Sequence, residues 1–96
     1  MHSASAPSSS VLAVIGQTPM HEVKNMDTGL CRLFLKLESQ NPGGSIKDRI
    51  GLSMIEAAEA NGDLKPGDTI IEATAGNTGL GLALVAAQKG FPIVLV

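Results

Sequence analysis

Residues 69–79 read Thr69-Ile70-Ile71-Glu72-Ala73-Thr74-Ala75-Gly76-Asn77-Thr78-Gly79, and residues 90–96 read Gly90-Phe91-Pro92-Ile93-Val94-Leu95-Val96. The segment 69–73 is short, β-branched and apolar, the composition of a buried strand. From Asn77 to Lys89 the chain fits a helix, with Gly90 as its left-handed stop. Phe91 to Val96 reads as a second buried strand. Strand, helix and strand at this spacing predict a βαβ unit, whose crossover is right-handed and whose strands are parallel. The fold class is therefore α/β.

Working back from this unit, Lys65-Pro66-Gly67-Asp68 is a turn and Asn61-Gly62 is a helix stop. The helix that ends there starts after the loop Asn41-Pro42-Gly43-Gly44. Ser45, with Asp48 three residues on, has the form of a capping box with Asp in place of Glu. Ile46, Ile50, Met54, Ala57 and Ala58 follow helical spacing and are the expected buried face. Further upstream, Met20 to Lys24 and Cys31 to Glu38 are expected to pair as a β-hairpin, with Leu33, Leu35 and Leu37 on one half-buried face. Residues 1–10 are rich in Ser, Ala and Pro and read as a flexible tail. The division is thus a tail over 1–10, a hairpin-bearing segment over 11–40, and a partial α/β ligand-binding domain over 41–96. Two helices do not cover both faces of a parallel sheet, so the sequence is expected to be the N-terminal portion of a longer protein.

Composition narrows the function. The chain has 96 residues, 44% of them apolar and 17% charged, with a net charge of −2 and no Trp or Tyr. Scattered basic residues without stacking aromatics argue against nucleic acid. The run Val11 to Ile15 is far too short for a membrane span or a secretory core, which makes the cytoplasm the expected location. Cys31 is the single cysteine. One thiol excludes an intrachain disulfide framework and paired-cysteine zinc sites, and no metal is expected.

Two segments carry chemistry. Lys47 falls two residues past the expected cap Ser45, where the positive end of the helix dipole disfavours an ammonium by about 0.3–1 kcal/mol. That favours the free amine, the form that attacks a carbonyl. An ordinary surface lysine in a capped helix has the same local pattern. The second segment is Thr74 to Gly79, between a strand and a helix, where backbone N–H groups converge on an anion at the carboxyl end of a parallel strand. A glycine-rich turn that only starts its helix is the plainer alternative. Walker A does not occur here, and the dinucleotide fingerprint has Leu84 where the third glycine after Gly79-Leu80-Gly81 belongs, which leaves a nucleotide-binding unit as an alternative only. Asp48 and Arg49 are expected to serve as first-turn charge and solvated helix face.

Four strings appear in order: Ile15-Gly16-Gln17-Thr18-Pro19-Met20, Leu35-Lys36-Leu37-Glu38, Asn41 through Arg49, and Glu72 through Gly79. Together they resemble the pyridoxal-phosphate enzymes of the cysteine synthase and cystathionine β-synthase family, over about Ile15 to Val96. The resemblance implies the type II pyridoxal-phosphate fold, like that of tryptophan synthase β. It implies pyridoxal 5′-phosphate bound covalently through Lys47, which would later remove the Cα proton of the amino acid. Asn77 would hydrogen-bond the cofactor's ring hydroxyl. Thr74, Ala75 (through its backbone), Gly76, Asn77 and Thr78 would hold the substrate. The implied reaction is β-replacement: an activated serine such as O-acetylserine plus sulfide to cysteine, or serine plus homocysteine to cystathionine. The implied partners are a small amino acid, a sulfide or thiol, and a second copy of the full-length enzyme. A non-catalytic fragment is the reading of another class. Alanine at 73 and 75 departs from the Glu-Pro-Thr-Ser-Gly-Asn of many relatives and removes one hydroxyl from the carboxylate site.

Overall fold

A computed structural model describes residues 10–73 and 76–96. The expected tail therefore lies outside the described residues except for Ser10. Ser10 caps a 3₁₀ turn at Val11–Val14 by accepting the Leu12 N–H on its Oγ at 3.2 Å.

The hairpin is present but shorter than expected. Strands β1 (Met20–Val23) and β2 (Leu33–Lys36) pair antiparallel, with Met20 opposite Lys36 and Val23 opposite Leu33. Leu37 is outside β2; its N–H still reaches the Pro19 carbonyl at 2.9 Å, and a 3₁₀ turn then takes Glu38–Gln40 off the strand direction. The expected half-buried face has no cover over Leu33 and Leu35 among the described residues, and Leu37 is half-buried. Leu33, Phe34 and Leu35 are 39%, 42% and 46% exposed, so both faces of β2 meet solvent. Alternation reports what a strand could bury; no described element packs on it.

Helix α1 spans Lys47–Asn61 and α2 spans Asn77–Lys89, each closed by a glycine in the left-handed region, Gly62 at φ 78° and Gly90 at φ 81°. These stops fall at the residues the sequence indicates. Strands β3 (Ile70–Glu72) and β4 (Ile93–Leu95) run parallel, Ile70 beside Ile93 and Glu72 beside Leu95. The βαβ unit is therefore observed, with strands shorter than the apolar runs that signalled them.

The core lies between the helices and this two-stranded sheet: Ile15, Ile55, Leu82, Val85, Ala86 and Phe91 are buried, with Leu12, Leu52, Leu64, Ile70, Leu84 and Ile93 packed around them. The buried face of α1 is not the expected one. Asp48, Gly51 and Ile55 face inward, while Ile46, Ile50 and Met54 are exposed. The reason is the partner helix. Gly51 meets Gly81 of α2 so closely that a methyl group on Gly51 would lie 2.7 Å from the Gly81 carbonyl carbon. Close backbone approach, rather than the bulkier apolar stripe, sets the rotation of α1.

Candidate functional site

The glycine crossing brings the two helix starts to one end of the molecule. A methyl on Gly81 would fall 2.5 Å from the carbonyl oxygen of Lys47, the first residue of α1. Farther along, Lys89 near the end of α2 pairs with Glu59 at 2.9 Å and Glu56 at 3.6 Å on α1, which raises the Lys89 pKa, chiefly through Glu59. The helices thus run in the same direction. Asn77 is four residues before Gly81, about 6 Å along the axis. Two positive helix ends and the carboxyl end of β3 consequently share one region.

The start of α1 is closed. Ser45 Oγ accepts the Lys47 N–H at 3.1 Å, as an N-cap side chain does. The second half of the expected capping box is different. Asp48 Oδ2 takes the Gly43 N–H at 2.5 Å instead of reaching back to Ser45. Asp48 is fully buried, and among the described residues its Oδ1 has no hydrogen-bond partner. It is a loop anchor, not merely first-turn charge.

Arg49 also departs from the solvated role. Its Nε meets Glu38 Oε1 at 2.6 Å and its Nη2 meets Glu38 Oε2 at 3.1 Å and the Gly16 carbonyl at 3.1 Å. Glu38 further accepts from Thr18 Oγ1 at 2.6 Å and from Asn41 Nδ2 at 3.0 Å. The Arg49 guanidinium, then the Thr18 hydroxyl, hold the Glu38 carboxyl down to about 2 against the opposing effect of burial, with Asn41 adding a smaller pull. Asn41 Oδ1 closes the network by accepting the Gly16 N–H at 2.8 Å.

Lys47 differs from both its C-terminal neighbours. Its side chain is half-buried, and among the described residues its Nζ makes no hydrogen bond or ion pair. The start of α2 is built differently. Gly76 is its cap residue with no side-chain cap bond, Gly76 and Asn77 are exposed, and Thr78 is half-buried. Thr74 and Ala75 lie outside the described residues. The structure therefore gathers Lys47, Gly76, Asn77 and Thr78 at one end. It also brings in Asp48, Arg49, Glu38, Asn41 and Thr18, which sequence reading had not assigned to the site. Gly51 and Gly81 offered a signal: a glycine inside a helix costs about 1 kcal/mol relative to alanine, and a close approach explains that cost.

The arrangement suits a carbonyl-bearing anion: an amine that has no partner among the described residues, at the same end as the positive start of a second helix. Residues 11–96 match the family described as pyridoxal-phosphate dependent enzyme, and the chain belongs to it. Within that class, it is 52% identical over 92 residues to a cysteine synthase of Staphylococcus aureus, which takes in 95% of this chain and 30% of that protein. It is 56% identical over 89 residues to the cystathionine beta-synthase of Mus musculus, 90% of this chain and 16% of that one. Among solved structures, O-acetyl serine sulfhydrylase isoform 3 of Entamoeba histolytica superposes with a TM-score of 0.90 at 38% identity, over 100% of this chain and 30% of that chain. The fold is accordingly the N-terminal part of the type II pyridoxal-phosphate fold. The chain spans about a third or less of the length of these relatives. Among the described residues no helix is long and apolar enough to cross a membrane, and no cluster of His, Cys, Asp and Glu could hold a metal ion.

Proposed function

We propose that this chain supplies the lysine-bearing part of a pyridoxal-phosphate enzyme that makes cysteine from O-acetylserine, or a related activated serine, and sulfide. The observation that supports it most is the Gly51–Gly81 crossing, which brings Lys47 to the same end as the start of α2. The residues present fit the cofactor. Lys47 Nζ would hold it covalently, and Asn77 would hydrogen-bond its ring hydroxyl. When bound, the cofactor supplies an electron sink for the charge left at Cα.

The protein's own groups do the rest. Backbone N–H groups at Gly76, Asn77 and Thr78, with the proposed contributions of Thr74 and Ala75, orient the amino acid by its carboxylate at the positive helix end. Lys47 Nζ, in its free-amine form, would take the Cα proton. A small amino acid, a sulfide or thiol, a second copy of the full-length chain and a cytoplasmic setting belong to this reading. The 56% identity to a cystathionine beta-synthase favours serine and homocysteine as the second choice of substrates.

Borohydride reduction of the full-length protein with its cofactor, followed by peptide mapping, tests the assignment. The pyridoxyl group is expected on Lys47. Finding it on Lys24, Lys36, Lys65 or Lys89 overturns the site. Product analysis with O-acetylserine plus sulfide against serine plus homocysteine decides between the two reactions.

A further inference from the structure

We propose that Arg49, acting with Glu38, is a positioning residue for Lys47: it clamps the first turn of α1 to the Gly16–Thr18 segment and the Glu38–Asn41 turn, and so aims the lysine. This rests on the proposed role of Lys47. Both Glu38 oxygens face the guanidinium at 2.6 and 3.1 Å, and the Arg49 Nη2 also donates to the Gly16 carbonyl at 3.1 Å. Of the residues in α1, Arg49 alone joins this network; Asp48, on the other side of Lys47, holds Gly43.

Gly16 is shaped for the clamp. Its φ is 82°, and a methyl there would lie 2.9 Å from Arg49 Nη1, so the guanidinium rests against a bare Cα. A lysine at 49 has a single point charge and no planar fork, and does not replace a bidentate pair. Energy is not the main effect, since the Arg49 side chain is 41% exposed and ion pairs so placed stabilise a fold weakly. What the network fixes is direction. Three segments distant in sequence meet two residues from Lys47, whose own amine has no partner among the described residues.

The test uses the full-length protein with Arg49→Lys and Glu38→Gln, separately and together, and Arg32→Lys as control. Arg32 makes the corresponding pair with Glu22 on the distant hairpin. In the cofactor-free protein, amide exchange over residues 43–50 is expected to quicken about tenfold in both clamp variants and to stay unchanged in α2. Pyridoxal-phosphate affinity is expected to fall about tenfold. The pH at which the bound cofactor's absorbance changes is expected to move in both variants. The double variant should match the worse single one, because one clamp is broken either way. Unchanged exchange over 43–50, or an Arg32→Lys variant that matches Arg49→Lys, overturns the proposal. If the wild-type protein takes no cofactor on Lys47, the functional reading fails, and amide exchange still decides whether the clamp holds the turn.

Discussion

The two helices start at the same end of the molecule, and they start differently. Around α1 the neighbours of Lys47 are tied to other segments: Ser45 accepts its N–H, Asp48 holds Gly43 through Oδ2, and Arg49 holds Glu38 and Gly16. At α2 the cap residue is an exposed glycine, which brings no side chain of its own to the first turn. A start braced by side chains fixes a reactive lysine, whereas a start whose cap residue is glycine presents backbone rather than side chain at the helix end. The contrast teaches that one local device, a helix N-terminus, serves two purposes according to what the loop before it supplies.

The largest expected effect comes from forcing the two starts apart. Gly81→Val puts branched carbons where even a methyl would sit 2.5 Å from the Lys47 carbonyl oxygen. Replacing a helical glycine with valine gains only a fraction of the about 1 kcal/mol that alanine would, while overpacking at a backbone contact costs about 1–3 kcal/mol and more for a larger side chain. The net sign is destabilising. Thermal unfolding of the full-length protein should shift down and cofactor retention through dialysis should be lost. A Gly81→Val protein that keeps both would show that Lys47 and α2 need not touch.

This crossing also marks the limit of what the sequence shows. The stops at Gly62 and Gly90 were legible because a left-handed glycine after a run of helix formers is a local signal. The parallel pairing was legible because β-branched runs flank a helix of adequate length. The rotation of α1 was not. Ile46, Ile50 and Met54 form the more apolar stripe, yet Gly51 packs because Gly81 is opposite it, a fact held in a residue thirty positions away. Gly81 itself looked like a failed nucleotide fingerprint. Lys47 stood out by position and motif, while Arg49 and Asp48 looked like ordinary surface charges because their partners come from other segments.

A smaller effect is expected from loosening the closed start alone. At Gly43 a methyl would run into the Asp48 carboxylate, which is fully buried and has little room to turn away. Gly43→Ala is therefore expected to destabilise by about 1–3 kcal/mol, measured by denaturant unfolding. The matching change at the start of α2, Gly76→Ala, meets nothing within 4 Å among the described residues and should cost less. Equal losses at the two glycines would erase the contrast.

Acid separates the two starts as well. Glu38 has its carboxyl lowered from 4.5 to about 2, first by Arg49 and then by Thr18. A depressed carboxyl contributes stability that is fully present above the unfolded value and is lost as pH falls through the folded one. The contribution should therefore fade between about pH 4.5 and 2. Glu38→Gln should flatten the stability curve of the full-length protein in that window. An identical acid profile in the variant would show that the pairing with Arg49 does not persist in solution.

The smallest effect is expected at the start of α2, where one hydroxyl is at issue. Ala75 immediately precedes the cap residue of α2, at the place where many relatives have serine. If the backbone donors of Gly76 to Thr78 carry the substrate carboxylate, Ala75→Ser adds a single neutral hydrogen bond to a site that already works. Such a bond contributes about 0.5–1.5 kcal/mol net, roughly a 2- to 12-fold gain in affinity. Titrating the cofactor absorbance of the full-length enzyme with amino acid measures it directly. A change within this range would show that the start of α2 still accepts a further donor. A hundredfold gain would mean that the backbone contributes little and that the missing hydroxyl had been the principal contact. A loss of affinity would show that the loop is packed around alanine, leaving no room for a further donor at the start of α2.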